Sequence, residues 1–242
     1  MNPDIEAIAQ QRLRAAEAAL TERSTARRPR VTLRSTFRKF WGYPSPWMIT
    51  GTLVTTLGLR LWVGDWRWTD ALVPVTLVLA FPFVEWVIHV CILHWRPRRV
   101  AGHQIDSLLA RKHRAHHADP RDVPLVFIPW QSLVGVLVGL VAVAAFAFPR
   151  AGLGLSFLVS VATLGIIYEW THYLIHGDYP PKSRLYKSVW RSHRLHHYKN
   201  EHYWFTVTTA GTADRLLRTY PDPATVEKSA TAKNLHGGRL GA

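Results

Sequence analysis

Ten of the thirteen histidines in this 242-residue chain fall into four groups, and the groups form two matching pairs. His89 and His94 are followed by His113, His116 and His117. His172 and His176 are followed by His193, His196 and His197. The order is H-x4-H, H-x2-H-H, H-x3-H, H-x2-H-H. Neutral imidazole is the commonest protein ligand for transition metals. Ten imidazoles are too many for one ion and suit two. Five per ion exceed what tetrahedral zinc takes. They suit a five- or six-coordinate ion with a position left open, for which iron is the best match and zinc or manganese remain alternatives.

Spacing says how the rings can converge. Residues three and four apart share a helix face, so each H-x2-H-H group, and the pair His172 and His176, is expected to aim its rings at one place. His89 and His94 are five apart, about 140° around an ideal helix. They need a wide turn, or His94 must lie past a helix end near Trp95 and Pro97. Metal-bound imidazoles pass their second N–H to a carboxylate or a carbonyl. Glu85, Glu169, Asp106, Asp119 and Asp178 are the candidate carboxylates, and His202 is a further candidate for lining the site. Glu85-Trp86 and Glu169-Trp170 precede the two histidine pairs as a weak internal repeat. His103 and His236 read as solvated residues. Tyr203, Trp204 and Phe205 read as membrane-interface aromatics, and Asp214 with Arg215 as an ion pair or a helix cap.

The elements that must hold these groups are apolar. Pro46 to Val63, Ala71 to Leu93, Leu133 to Phe148 (extendable back to Val126) and Leu153 to His176 approach the ~20 residues that cross a bilayer. Arg60 mars the first and is expected to snorkel. The reading is an all-α integral membrane protein, a four-helix transmembrane bundle with a cytoplasmic helical cap that carries the di-metal site. Its parts are a basic segment 1–44 with a surface helix over 4–21, a membrane domain 45–220 and a tail 221–242. No apolar core follows Met1 as in a signal peptide.

Charge sets the orientation. The formal charge is +14 although 48% of residues are hydrophobic. Nine Lys or Arg precede residue 46, seven lie between 95 and 123, eleven follow 176, and only Arg67 and Arg150 fall in the short connectors. Both termini and the histidine groups are therefore expected on the cytoplasmic side. The segregation of charge favours lipid over nucleic acid as the partner of the basic surface. The lone Cys91 excludes an internal disulfide framework and a multi-cysteine zinc site.

Four histidine groups of this form, together with the stretch RLHHYKNEHYWFTVTTAGTADRLLRTYPDP, resemble the fatty acid hydroxylase and sterol desaturase superfamily over about residues 70–220. The spacing is most similar to the fatty acid 2-hydroxylase branch. The resemblance implies that all ten grouped histidines ligate two iron ions, with zinc possible in purified material, and that Asp214 matches the aspartate of the family's tail motif. This chain has Thr206 where relatives often carry Gly. The implied reaction is oxygen-dependent hydroxylation of an unactivated C–H bond in a lipid, a fatty acyl chain above all, with dioxygen as co-substrate. Desaturation or hydroxylation of a sterol or carotenoid is the alternative on the same scaffold. Segment 1–44 is too short for a fused cytochrome b5, so electrons are expected from a separate ferredoxin, or from cytochrome b5 with its reductase. A bacterial plasma membrane is the expected location. A metal transporter would need a site near mid-membrane, and a haem carrier would leave both H-x2-H-H groups unexplained.

Overall fold

The computed structural model describes residues 31–237, and the elements below lie in one compact unit beginning at Leu33. The helix expected over 4–21 lies outside the described residues. The chain is mostly helical. Helix α1 (Leu33–Phe40) leads into α2 (Pro44–Val63), α3 (Leu72–Val87), α4 (Leu108–Ala118), α5 (Trp130–Phe146), α6 (Ala151–His176), α7 (Arg184–Tyr198) and the short α8 (Thr212–Leu216). Between α3 and α4 lies a two-stranded antiparallel hairpin, β1 (Arg98–Val100) and β2 (His103–Ile105), in a stretch read from sequence only as a basic loop.

Helix α6 is the spine. It packs most extensively along α2, then along α3 and α5. Gly154 makes the α5–α6 turn possible, because a Cβ there would lie 2.3 Å from the Ala144 carbonyl oxygen. Phe40, Phe127 and Tyr173 form one buried aromatic cluster at the histidine end, and Ile49, Leu133 and Ala162 form another. The outward faces carry exposed Val78, Leu79, Val138 and Phe146, as a lipid-facing surface would.

Three stretches are long and apolar enough to cross a membrane: Trp68–Leu93, Val123–Phe146 and Ala151–His176. The expected fourth, α2, is a helix of 20 residues, but four threonines and Arg60 lower its apolarity. Arg60 does not snorkel. It is 1% exposed and donates to Asp70 at 2.8 Å, Asp65 at 3.1 Å and the Gly64 carbonyl. Arg150, opening α6, binds the same two aspartates. Two arginines and two aspartates thus tie the α2 end to the α5–α6 connector. A charge removed from water is tolerable here because each has an opposite partner.

The two helices that carry H-x2-H-H start alike. The Ser107 hydroxyl accepts from the Ala110 amide and opens α4, and the Ser183 hydroxyl accepts from the Tyr186 amide and opens α7, both at 3.1 Å. Each serine satisfies an amide that the first helical turn leaves unpaired.

Candidate metal centre

All ten grouped histidines gather into two nests. His89, His94, His113, His117 and His196 form the first, and His116, His172, His176, His193 and His197 the second. In each nest one ring nitrogen per residue lies within 4.8 Å of every other. His116, His117, His193, His196 and His197 are fully buried.

The nests do not follow the sequence groups. Helix α4 sends His113 and His117 to the first nest and His116 to the second. Helix α7 sends His193 and His197 to the second and His196 to the first. At about 100° per residue, positions i and i+4 diverge by only ~40°, while neighbours diverge by ~100°. The expectation that each H-x2-H-H group aims at one place therefore fails at its middle histidine. Each half of the chain lends one imidazole to the other's nest, which locks α4 to α7.

His89 and His94 meet through a π turn over Ile88–Leu93 that continues α3. The His94 amide donates to the His89 carbonyl at 3.0 Å, an i→i+5 bond. This wider turn brings residues five apart onto one side, with ring centroids 5.0 Å apart.

Of the two expected kinds of outer partner, carboxylate and carbonyl, four of the ten rings use the backbone carbonyl. The Nδ1–H groups of His89, His117, His172 and His196 donate to Phe205, Ala232, Val126 and Tyr203 at 2.6–2.9 Å. A carbonyl can only accept, so Nδ1 carries the proton and each Nε2 presents a lone pair. The Nε2 atoms of His117 and His196 nevertheless face each other at 3.2 Å. In the second nest, His193 Nε2 lies 3.0–3.1 Å from the Nε2 atoms of His172, His176 and His197. Converging lone pairs repel unless a cation sits among them. Bonds of about 2.0–2.1 Å put neighbouring nitrogens ~2.9 Å apart at square corners and ~3.4 Å at tetrahedral ones. The short contacts of 3.0–3.2 Å lie between these values, and all donors of a nest stay within 4.8 Å of one another. The donor set fits two transition-metal ions.

Electrostatics agree. Burial, followed by the neighbouring histidines, pushes His94, His113, His116, His193 and His197 well below the ordinary imidazole value. His117 is likewise lowered, and His196 falls to about 4, burial being the largest cause in both. These rings stay neutral, the form that binds metal.

The buried carboxylates act one step further out. Glu85 accepts from the Val207 and Thr208 amides and the Thr209 hydroxyl. Asp214 accepts from the Phe205 and Thr206 amides at 2.8 Å and from the Thr206 and Thr219 hydroxyls. It therefore neither pairs with Arg215 nor caps a helix. Between them Glu85 and Asp214 fix the segment whose Phe205 carbonyl holds His89. Glu169 accepts from the Ile128 amide, two residues after the carbonyl that holds His172. Among the described residues the other candidates make no hydrogen bond to a grouped histidine, although His202 lines a pocket with His94. Asp106 pairs with Arg114, Asp119 is exposed and accepts from the Arg121 amide, Asp178 is exposed, and His202 is exposed beside Glu201.

Two further expectations change. Trp204 and Phe205 are buried rather than interfacial, and Phe205 packs against His89, His94 and His196 with centroids 5.3–5.6 Å apart. Trp204 holds φ +57, uncommon for a bulky residue. It follows the carbonyl that takes His196 and is pinned by its amide bond to the Thr219 carbonyl at 2.9 Å. His236 is half-buried, with Nε2 3.0 Å from the His94 carbonyl. The missed participants are Val126, Tyr203, Glu201 and residues 229–236. No motif marks them, because they serve mainly through backbone atoms.

A cavity of about 320 Å³ opens between α3, α5 and α6. Its lining is apolar apart from Glu85, Lys112, Tyr168, His89 and His113 of the first nest, and His172 of the second. Such an apolar site with few polar groups suits a hydrophobic ligand.

No curated protein matches this chain. Among solved structures, full-length Scs7p, of which only the hydroxylase domain is visible, is similar in fold at a TM-score of 0.61 and 18% identity, covering 76% of this chain and 68% of that one. The fatty acid hydroxylase family matches residues 74–219, more than half of the sequence, and this span includes all ten nested histidines. The chain belongs to the fatty acid hydroxylase family, whose members are lipid-acting oxidoreductases.

Proposed function

We propose that this chain is a membrane-bound di-iron oxygenase that hydroxylates an unactivated C–H bond of a lipid acyl chain, using dioxygen and external electrons. The observation that carries this reading is the meeting of an apolar cavity with both histidine nests: His89 and His113 of one and His172 of the other line the same space. Two iron ions held by the ten imidazoles would supply the redox chemistry for splitting dioxygen and attacking a C–H bond. Zinc would satisfy the same nitrogens without redox chemistry.

The protein's own contribution is placement. The carbonyls of Phe205, Ala232, Val126 and Tyr203 fix which ring nitrogen faces inward. The apolar walls align an acyl chain and exclude water, and holding one C–H bond close supplies much of the rate. Phe205 shields three rings of the first nest.

For orientation, we place α2 beside the three apolar helices as a fourth crossing. Its 20 residues span about 30 Å at 1.5 Å each, and it runs along α6. The cap carrying the nests then faces the cytoplasm, where the basic residues concentrate, and the Arg60–Asp70–Arg150 cluster closes the far end. A separate ferredoxin or cytochrome b5 supplies electrons. The similarity to the Scs7p hydroxylase domain and the histidine spacing favour the fatty acid 2-hydroxylase branch.

Mass spectrometry of lipids from host cells with and without the protein tests the reaction. Gain of one oxygen atom on an acyl chain is expected. Loss of two hydrogens would replace hydroxylation with desaturation, and an unchanged lipid profile in iron-replete, aerated cells would contradict both.

A further inference from the structure

We infer that the segment Ser229–His236 is a strap that completes the first metal nest, with Glu201 and Thr231 as its positioning residues. This inference rests on the metal-centre reading above and adds a part of the molecule beyond residue 219, where the family match ends.

The strap returns to the site from the far side of a loop. Its first anchor is the end of α7, where the Ser229 amide donates to the Lys199 carbonyl at 2.8 Å. Its second is Glu201, 2% exposed, whose Oε1 accepts the Thr231 hydroxyl at 2.5 Å. Thr231 also closes the turn on itself: its amide donates to the Ser229 hydroxyl at 3.1 Å, and its carbonyl accepts from the Asn234 amide at 2.9 Å. The next residue, Ala232, is buried and its carbonyl takes the His117 Nδ1–H at 2.9 Å. Leu235 is buried, and His236 reaches the carbonyl of His94 at 3.0 Å. His117 and His94 both belong to the first nest. Among the described residues, the strap has no hydrogen bond to a histidine of the second.

The chain of action is short. Glu201 holds Thr231, Thr231 shapes the turn, and the turn aims the Ala232 carbonyl. That carbonyl keeps the proton of His117 on Nδ1 and its Nε2 lone pair turned inward. Outer partners of this kind are worth roughly ten- to hundred-fold in metal affinity. The strap also helps to enclose a pocket of about 240 Å³, to which it contributes Thr231, Leu235 and His236 opposite His94, Arg96 and Glu201. Displacing the strap would expose the His94 side of the first nest to water. The Thr231 hydroxyl gives buried Glu201 its shortest side-chain contact, with exposed His202 3.6 Å away.

The test separates the two nests. The full chain carrying His193→Ala keeps only the first nest intact, and the full chain carrying His89→Ala keeps only the second. Thr231→Val is added to each, and the rate at which the remaining iron is lost to a chelator is measured by elemental analysis. The strap predicts loss at least about tenfold faster in the His193→Ala background and an unchanged rate in the His89→Ala background. Thr231→Ser, which keeps the hydroxyl, should restore the slow rate. Equal acceleration in both backgrounds would mean general loosening of the fold and would overturn the proposal, as would no change in either. A parent chain that binds no metal would instead overturn the metal-centre reading, and the strap's role with it.

Discussion

The Nε2 atoms of His117 and His196 face each other at 3.2 Å although the residues are 79 positions apart, and the Nδ1–H of each is already given to a carbonyl. Neither nitrogen can donate to the other. The arrangement is stable only if a positive charge lies among them, and it joins the two halves of the chain at one point. His116 and His176 make the reciprocal contact in the second nest, also at 3.2 Å.

This exchange predicts site-selective losses. His196→Ala should weaken the first ion although it lies on the helix that builds the second nest, and His116→Ala should do the reverse. Each single change, like His117→Ala or His197→Ala, should abolish product formation while leaving membrane insertion intact. Metal counting and lipid analysis of the four variants check this. Full activity in all four would contradict it.

Acid should destabilise the metal-free protein in a defined window. The buried histidines are held below the unfolded value of ~6.5, His196 at about 4. The unfolded chain therefore binds more protons than the folded chain between these values, and stability falls as pH falls. Above about pH 6.5 the contribution is fully present. Thermal unfolding of chelator-stripped protein in detergent should show a midpoint that is level at neutral pH and declines from there toward pH 4. A midpoint independent of pH through this range would contradict burial of neutral rings.

Asp214→Ala should cost both stability and activity. It leaves the Phe205 and Thr206 amides without acceptors, and each buried unpaired group costs about 1–3 kcal/mol. It also frees the carbonyl that orients His89. A lowered unfolding midpoint and weaker metal retention are expected, with Asp214→Asn milder because one amide oxygen survives. An Asp214→Ala variant with wild-type stability would show that other contacts fix this segment.

Filling the cavity should change substrate range without touching metal. Leu164 lines the apolar space. Leu164→Trp should shift turnover toward shorter or less bulky chains while the metal content stays at the wild-type level. Unchanged chain-length preference would place the substrate elsewhere.

The ten histidines that gather into the two nests were legible in the sequence because their side-chain type recurs at fixed spacings. The crossing of His116 and His196 was implicit in the ~100° step between helical neighbours, but grouping by motif hid it. The π turn at His89–His94 was visible only as an awkward spacing of five. The carbonyl partners were not legible, since any residue offers a carbonyl, and Val126, Phe205 and Ala232 come from distant loops. The buried state of Arg60 depends on Asp65 and Asp70 folding back after α2, which hydropathy alone does not register. The hairpin over 98–105 carries arginines and exposed Val100 and Ile105 and lacks the alternation of a half-buried strand.

The most direct test is the transition-metal content of gently purified protein, counted per chain. Two ions are predicted in the full chain, falling to one in His89→Ala and in His193→Ala and to none in the double variant. One ion or none in the full chain, or a count unaffected by either substitution, would contradict the two-nest account.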